Sequence, residues 1–161
     1  MAITPEHVRE ILDYEPQTGL LKWRKKVAQR VRIGDVAGSK HHSGYLSVFT
    51  LGQSHRAHRL AWMHYYGTQP PKFIDHINGL RHDNRIANLR AATAETNAQN
   101  RRSAVRNAAS GLLGVGKNGR NWQAYIRING KPTYLGTFKT PEEAHQVYLE
   151  AKRRFHTGCT I

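Results

Sequence analysis

An aspartate and a histidine, Asp75 and His76, stand side by side at the end of a short apolar run, and an asparagine, Asn97, follows further along. Between them, the turn dipeptide Asn78-Gly79 and a later helical pattern indicate a hairpin followed by a helix. That path can bring Asp75 and Asn97 together. Two oxygen ligands beside an imidazole suit a hard divalent cation such as Mg²⁺, which takes other ligands from water and phosphate. The pattern therefore predicts metal-assisted hydrolysis of a phosphodiester.

Each of these residues also has a structural explanation, because Asn-rich stretches commonly serve as caps and Asx-turns. Their combined spacing is more specific. It resembles the HNH (ββα-metal) endonucleases, in particular the phage type whose third motif residue is asparagine. The positions that match the three motifs are Asp75-His76, Asn88 within Asn84-Arg85-Ile86-Ala87-Asn88-Leu89, and Asn97. His58-Arg59-Leu60 also resembles the start of the family's preceding helix, so the match covers about residues 44–102.

This resemblance implies a role for each motif residue. Asp75 and Asn97 would hold the metal, and His76 would be the general base that takes a proton from the attacking water. Asn88 would hold the loop that carries His76. Many HNH proteins have a histidine where Asn97 stands. Because an amide oxygen is a harder ligand than imidazole, we expect Mg²⁺ or Mn²⁺, one ion per site, in preference to Zn²⁺.

The charge of the chain restricts its partners. Its 161 residues include 25 Lys/Arg and 11 Asp/Glu, a formal net charge of +14, which favours a polyanion such as nucleic acid. A membrane partner is not expected, because no apolar run approaches the roughly 20 residues of a spanning helix. The polar start predicts no signal peptide. The lone Cys159 excludes an internal disulfide and a cysteine-based zinc site, and fits a reducing cytoplasm.

Several elements are predicted around the motif residues. Thr4-Pro5-Glu6 predicts the start of a helix that ends near Asp13-Tyr14, with a strand at 20–23 after it. Residues 45–51 read as a strand, and 57–66 as a helix ended by Gly67. Three histidines raise the hypothesis of a zinc site, for which we prefer packing and phosphate contacts in the absence of a clear fourth ligand: His55, His58 and His64.

A further helix is predicted from Ala94 to about Val105. It carries Asn97 and the paired Arg101 and Arg102, which are candidate phosphate ligands beside the metal. A charged helix end needs no such role, so the structural explanation stays open. Residues 103–111 lack an apolar period and are predicted to be a linker.

The rest of the chain predicts a second unit. Two turn dipeptides, Asn118-Gly119 and Asn129-Gly130, divide three short strands, and Thr140-Pro141-Glu142-Glu143 is a capping box. The middle strand alternates between apolar and polar residues, so a three-stranded antiparallel sheet should pack one face on the helix. Its other face, with Tyr125 and Arg127, is left uncovered.

This second unit resembles an AP2/ERF-type DNA-binding domain. The resemblance rests on Gly114-Val115, Ala124-Tyr125-Ile126-Arg127, Tyr134-Leu135-Gly136-Thr137-Phe138 and Glu143-Ala144. It implies a sheet that lies in the DNA major groove. The predicted DNA-binding residues of this unit are Lys117, Arg120, Tyr125, Arg127, Tyr134 and Thr137. Because Tyr134 and Thr137 cannot share a face under strict alternation, we expect a bulge near Gly136.

Together these observations predict an α+β protein that is a metal-dependent endonuclease of phage or homing type acting on double-stranded DNA. One active site per chain favours nicking by a monomer, and cutting both strands would require a homodimer or two events. The alternatives are an inactive DNA-binding regulator or packaging accessory, and an RNA-binding protein. The predicted division is 1–43 nuclease-associated, 44–102 nuclease core, 103–111 linker and 112–161 DNA-binding domain.

Overall fold

The computed structural model describes residues 3–104 and 108–160. These residues form four α-helices and ten short strands in small antiparallel sheets, which confirms the predicted α+β class. The helices are α1 (Pro5–Ile11), α2 (Ala57–Tyr66), α3 (Ala94–Gln99) and α4 (Pro141–Phe155). The strands are β1 (Leu12–Glu15), β2 (Leu20–Trp23), β3 (Ser39–Lys40), β4 (Leu46–Thr50), β5 (Gln53–Arg56), β6 (Phe73–His76), β7 (Leu89–Ala92), β8 (Val115–Asn118), β9 (Asn121–Ile128) and β10 (Lys131–Phe138).

The chain divides into two compact units, Met1–Ala92 and Thr93–Ile161. Each unit has its own hydrophobic core. We refer to them as the first unit and the second unit. The finer domain boundaries proposed from the sequence, including the linker at 103–111 of which 105–107 lie outside the described residues, remain predictions.

The first unit begins with the predicted helix, which is shorter than expected. The Thr4 hydroxyl accepts a hydrogen bond from the His7 N–H at 3.2 Å and caps α1. The prediction that this helix reaches Asp13-Tyr14 is wrong, because the chain turns extended at Leu12 and β1 pairs with β2. Alternating burial explains this: Leu12 and Tyr14 enter the core, whereas the side chains between and after them face solvent.

A three-stranded sheet and α2 complete the core of the first unit. Its strands run in the order β3-β4-β5, and β4 falls within the predicted strand 45–51. Helix α2 has the predicted bounds and ends at Gly67, whose left-handed backbone lets its N–H reach the Met63 carbonyl. Leu60 and Ala61 of α2 are fully buried beside Val48 of β4. The two-stranded sheet of β6 and β7 adds Ile74 and Leu89 to the same core.

Helix α3 opens the second unit and is also shorter than predicted. Thr93 and Thr96 form a reciprocal capping box at its start. Of the predicted helix to about Val105, the end lies outside the described residues, but Arg101 and Arg102 already follow the last helical residue, Gln99.

Contacts from the C-terminal part of the chain explain why α3 stops there. The Thr160 hydroxyl donates to the side-chain oxygen of Asn100 at 2.6 Å, and the Gly158 N–H donates to that of Gln99 at 3.0 Å. The buried ammonium of Lys152 donates to the Arg101 carbonyl. The Arg101 carbonyl is a backbone group that a continued helix would have used, and the other two bonds hold the side chains of Gln99 and Asn100.

The second unit contains a three-stranded antiparallel sheet, order β10-β9-β8, against which α4 packs. Ala124 and Ile126 of β9 are buried against Ala144 and Tyr148 of α4, as the alternating pattern predicts. The capping box at Thr140 and Glu143 starts α4. Within the described parts of the chain, no helix combines the length and apolar character needed to cross a membrane.

Candidate active site

The hairpin of β6 and β7 positions the two catalytic candidates in the first unit. Asp75 lies opposite Arg90 and His76 lies opposite Leu89 in the antiparallel register. Both side chains are withdrawn from solvent, since Asp75 is 5% exposed and His76 is 4% exposed. A buried polar pair at the end of a strand requires partners, and the structure supplies them.

Arg90 is the ionic partner of Asp75. Its Nη2 and Nε atoms lie 2.7 and 2.9 Å from Asp75 Oδ2, so one carboxylate oxygen accepts two charge-assisted hydrogen bonds. The sequence analysis gave Arg90 no role. The strand register could have predicted this contact, because antiparallel pairing across the hairpin places Arg90 opposite Asp75.

His76 is held by Asn84, which the sequence analysis placed only within a motif. His76 Nε2 lies 3.3 Å from Asn84 Oδ1. Because an amide oxygen only accepts hydrogen bonds, Nε2 carries the hydrogen and Nδ1 carries the ring's lone pair. Asn84 is 2% exposed, and the buried Tyr14 hydroxyl donates to its backbone carbonyl at 2.7 Å. These contacts orient the imidazole and favour the tautomer whose lone pair is on Nδ1.

The electrostatic environment keeps His76 neutral near pH 7. Burial lowers its pKa below the ordinary value, and the Asn84 hydrogen bond and the Asp75 charge oppose that shift. A neutral imidazole can accept a proton, as a general base must.

Asn88 braces the loop between the two strands. Its Oδ1 accepts the Asn78 N–H at 2.9 Å, and its Nδ2 donates to the Asp83 carbonyl at 2.8 Å. The Asn88 carbonyl also accepts the Ile77 N–H, directly after His76. A second contact in the same loop is ionic. Arg85 binds the Asp83 carboxylate and lowers its pKa to about 2, so that carboxylate is charged at all ordinary pH values. The geometry is the one expected for Asn88, and its importance for catalysis remains a prediction.

Two aromatic rings, those of His58 and Tyr45, lie against the ring of His76. The His58 ring centroid lies 5.1 Å from that of His76, and the Tyr45 ring lies 5.2 Å from His58 and 5.8 Å from His76. Burial, together with the neighbouring His76, lowers the pKa of His58 to about 3. His58 is therefore a neutral packing partner at neutral pH.

Asn97, the other predicted metal ligand, is exposed on α3 and belongs to the second unit. The structure brings Asp75, His76, Asn84 and Asn88 together in the first unit. That Asp75 and Asn97 share an ion remains a prediction.

The donor chemistry fits a hard cation with few protein ligands. Over residues 3–104 and 108–160, no three His, Cys, Asp or Glu side chains are grouped to hold a metal ion. Mg²⁺ does not need such a group, because one or two protein oxygens suffice when water and phosphate supply the rest. A carboxylate has about four acceptor positions, so the Arg90 hydrogen bonds to Asp75 are compatible with a bound ion.

The uncovered face of the second unit's sheet carries four of the predicted DNA-binding residues. Tyr125 and Tyr134 are 44% and 53% exposed, with ring centroids 5.4 Å apart, and Arg127 is exposed on the same strand as Tyr125. The expected bulge is present, because the register shifts between Tyr134 and Gly136. It lets the Tyr134 and Thr137 hydroxyls meet at 2.7 Å on one face.

The remaining predicted DNA-binding residues lie elsewhere. Lys117 is opposite Trp122 in the register, with its ammonium 5.2 Å from the indole centroid, and so it lies on the helix-bearing side of the sheet. Arg120 is exposed in the turn between β8 and β9. Arg101 and Arg102 are exposed beyond α3, and Arg102 donates to the Thr160 hydroxyl at 2.6 Å.

Comparison with known proteins identifies one related segment. Residues 55–99 match the family model described as HNH endonuclease. No curated protein and no solved structure matches the chain. The matched segment includes Asp75, His76, Asn88 and Asn97, and it supports an HNH endonuclease domain in this part of the chain.

Proposed function

We propose that this protein is a metal-dependent endonuclease that hydrolyses phosphodiester bonds of duplex DNA, of the phage or homing kind. The observation that carries the proposal is the buried Asp75-His76 pair, with His76 oriented by Asn84, inside the segment that matches the HNH endonuclease model. The net charge of +14 supports a nucleic-acid substrate.

In this proposal Asp75 and Asn97 hold Mg²⁺ or Mn²⁺ as hard oxygen ligands. Arg90 orients the Asp75 carboxylate for that purpose. When bound, the ion offsets the charge that develops on the phosphorane and on the departing 3′ oxygen.

His76 acts on the attacking water. Its Nδ1 accepts a proton as the water oxygen forms a bond to phosphorus, and the bond from phosphorus to the 3′ oxygen breaks. The 3′ oxygen takes a proton from solvent, so the products are a 3′ hydroxyl and a 5′ phosphate. Asn84 fixes the tautomer that leaves the lone pair on Nδ1, and Asn88 fixes the loop.

The second unit recognises the DNA through its uncovered sheet face. Tyr125, Arg127, Tyr134 and Thr137 contact base edges and phosphates in the major groove, whose width admits β-strands. One catalytic centre per chain nicks one strand, and a homodimer cuts both.

One observation favours a second candidate function, a DNA-binding regulator without nuclease activity. The ion pair between Arg90 and Asp75 already neutralises the carboxylate that should hold the metal. Arg90 would then take the place of the ion, and the site would lack the metal that hydrolysis requires.

A plasmid assay distinguishes the two candidates. Supercoiled DNA is incubated with the protein and Mg²⁺ or Mn²⁺, with EDTA as the metal-free control and single-stranded and duplex RNA as alternative substrates. Metal-dependent nicking of the plasmid supports the endonuclease. Tight duplex binding without cleavage in either metal supports the regulator, and preferential binding or cleavage of RNA contradicts both.

A further inference from the structure

Two arginines converge on one tyrosine next to His76. The guanidinium carbons of Arg56 and Arg81 lie 5.3 and 5.2 Å from the ring centroid of Tyr45. The same ring contacts the rings of His58 and His76. Arg56 ends β5 and Arg81 lies in the loop after β6, so separate segments of the first unit deliver the two charges to one place.

Each guanidinium is held in place by a neutral acceptor. Arg56 Nη1 donates to the Ser47 hydroxyl at 3.0 Å, and Arg81 Nη1 donates to the Ser43 carbonyl at 2.8 Å. A guanidinium carries five N–H donors, so each of these bonds uses a small part of its capacity. The anchors therefore fix the position of both cations without neutralising them.

Neither arginine forms an ion pair with a carboxylate among the residues that the structure describes. Other arginines of the same unit do, since Arg85 pairs with Asp83 and Arg90 pairs with Asp75. Cation–π contact with Tyr45 gives each guanidinium some stabilisation. It leaves the positive charge of both groups available to an anion.

We propose that Arg56 and Arg81 form a clamp for one backbone phosphate of the DNA beside His76. This inference rests on the proposed nuclease function and adds a substrate-positioning site to it. Planar guanidinium groups bind phosphate through paired N–H donors, and both guanidinium carbons lie within 5.3 Å of the Tyr45 ring centroid. Ring contact between Tyr45 and His76 places the held phosphate next to the general base.

The test measures binding of a mixed-sequence duplex in EDTA, over a series of salt concentrations, by fluorescence anisotropy. Arg56→Ala and Arg81→Ala should each weaken binding about 10-fold and lower the slope of log affinity against log salt by about 1. The double variant should lower the slope by about 2. Lys22→Ala, which removes an exposed positive charge on β2, is the charge-matched control.

Two further variants test the geometry of the clamp. Arg81→Lys keeps the charge but loses the planar fork, so it should retain most of the salt slope and lose affinity. Tyr45→Phe keeps the ring and should bind as the wild type does. Circular dichroism melts verify that each variant is folded.

An unchanged salt slope in the double variant, or an equal loss in Lys22→Ala, overturns the clamp. The binding assay contains no metal and needs no cleavage, so it gives its answer even if the proposed nuclease activity is absent. Where cleavage is measured, the arginine variants should raise KM about 10-fold and leave kcat nearly unchanged, because they remove ground-state binding. A fall in kcat with KM unchanged contradicts the proposed ground-state binding of phosphate.

Discussion

The two units handle their functional side chains in opposite ways. In the first unit Asp75 and His76 are about 5% exposed and each is held by a named partner, Arg90 or Asn84. In the second unit Tyr125 and Tyr134 are about half exposed. Proton transfer benefits from groups that are fixed and shielded from water before the substrate arrives. Groove recognition requires side chains that reach outward. Under the proposed function, burial therefore distinguishes the catalytic site from the face that carries Tyr125, Arg127 and Tyr134, which we call the reading surface.

The largest expected effect comes from removing His76, the proposed general base. His76→Ala should reduce the cleavage rate by about 10²–10⁴-fold, the usual contribution of general base catalysis, and leave duplex affinity in EDTA unchanged. Plasmid nicking and anisotropy measure the two quantities. His7→Ala, on α1 of the same unit, is the matched control. If His76→Ala lost duplex affinity as strongly as cleavage rate, the proposed division of cleavage and DNA binding between the two units would be wrong.

The next prediction tests whether the orientation of the His76 imidazole matters as much as its presence. Asn84→Ala removes the acceptor that sets the His76 tautomer, and we expect kcat to fall about 10- to 100-fold through misplacement of the imidazole. The pH–rate profile provides the specific readout. Because the Asn84 hydrogen bond raises the pKa of His76, its loss should move the acid limb to lower pH. A profile that does not move would limit Asn84 to a structural role.

On the reading surface, Arg127→Ala should weaken DNA binding by about 1–3 kcal/mol if the guanidinium reads a base edge. The loss would then depend on the base at one position of the site. A loss that is equal for all sequences would assign Arg127 to phosphate instead. In either case kcat at saturating DNA should be unaffected, because Arg127 is not among the residues proposed to hold the metal or to activate the water.

Acid should destabilise the first unit selectively. The pKa of His58 is about 3 in the folded chain, whereas an unfolded histidine titrates near 6.5, so the unfolded state binds more protons between these values. Stability should therefore be lost as pH falls below 6.5. The loss between pH 7 and pH 5 should be about 2 kcal/mol.

Urea unfolding followed by NMR signals of each unit measures this loss, and His58→Gln is the variant without the titrating group. Its stability should depend much less on pH. Equal acid sensitivity of both units, or an unchanged dependence in His58→Gln, would contradict the assignment to this histidine.

The smallest effect is expected for Lys117→Ala. This lysine stacks on Trp122 at the helix-bearing side of the sheet, away from Tyr125 and Arg127. Its loss should change duplex affinity by less than about 0.5 kcal/mol, as is usual for a surface substitution. A loss as large as that of Arg127→Ala would move the reading surface to the other side of the sheet.

Local signals in the sequence predicted much of this structure. The bounds of α2 follow from its apolar face and Gly67, α4 follows from the Thr140 capping box, and the bulge follows from the positions of Tyr134 and Thr137. The predictions that failed concern helix ends, which depend on contacts with residues distant in sequence. Helix α1 ends early because Leu12 pairs with Trp23, and α3 ends before Arg101, whose carbonyl accepts a hydrogen bond from the distant Lys152 ammonium.

Contacts between residues distant in sequence were also missed at the candidate active site. The motif pattern gave Asp75, His76, Asn88 and Asn97, which lie in the segment that matches the HNH endonuclease model. It did not give Arg90 or Asn84 as partners, because those contacts depend on strand register and on loop closure in three dimensions. Nor did it give the approach of Arg56 and Arg81 to Tyr45, which joins segments that no local pattern links.

The contact between Gly158 and α3 has a consequence for the evolution and engineering of this chain. A methyl group on Gly158 would meet the Thr96 carbonyl at 2.7 Å, so the tail lies directly against the helix that bears Asn97. Under the proposed function, the carboxylate ligand, Asp75, belongs to the first unit and the amide ligand, Asn97, belongs to the second. A chimera that exchanges the second unit for another specificity would therefore also replace half of the cation's protein ligands, and a graft must carry Asn97 with it.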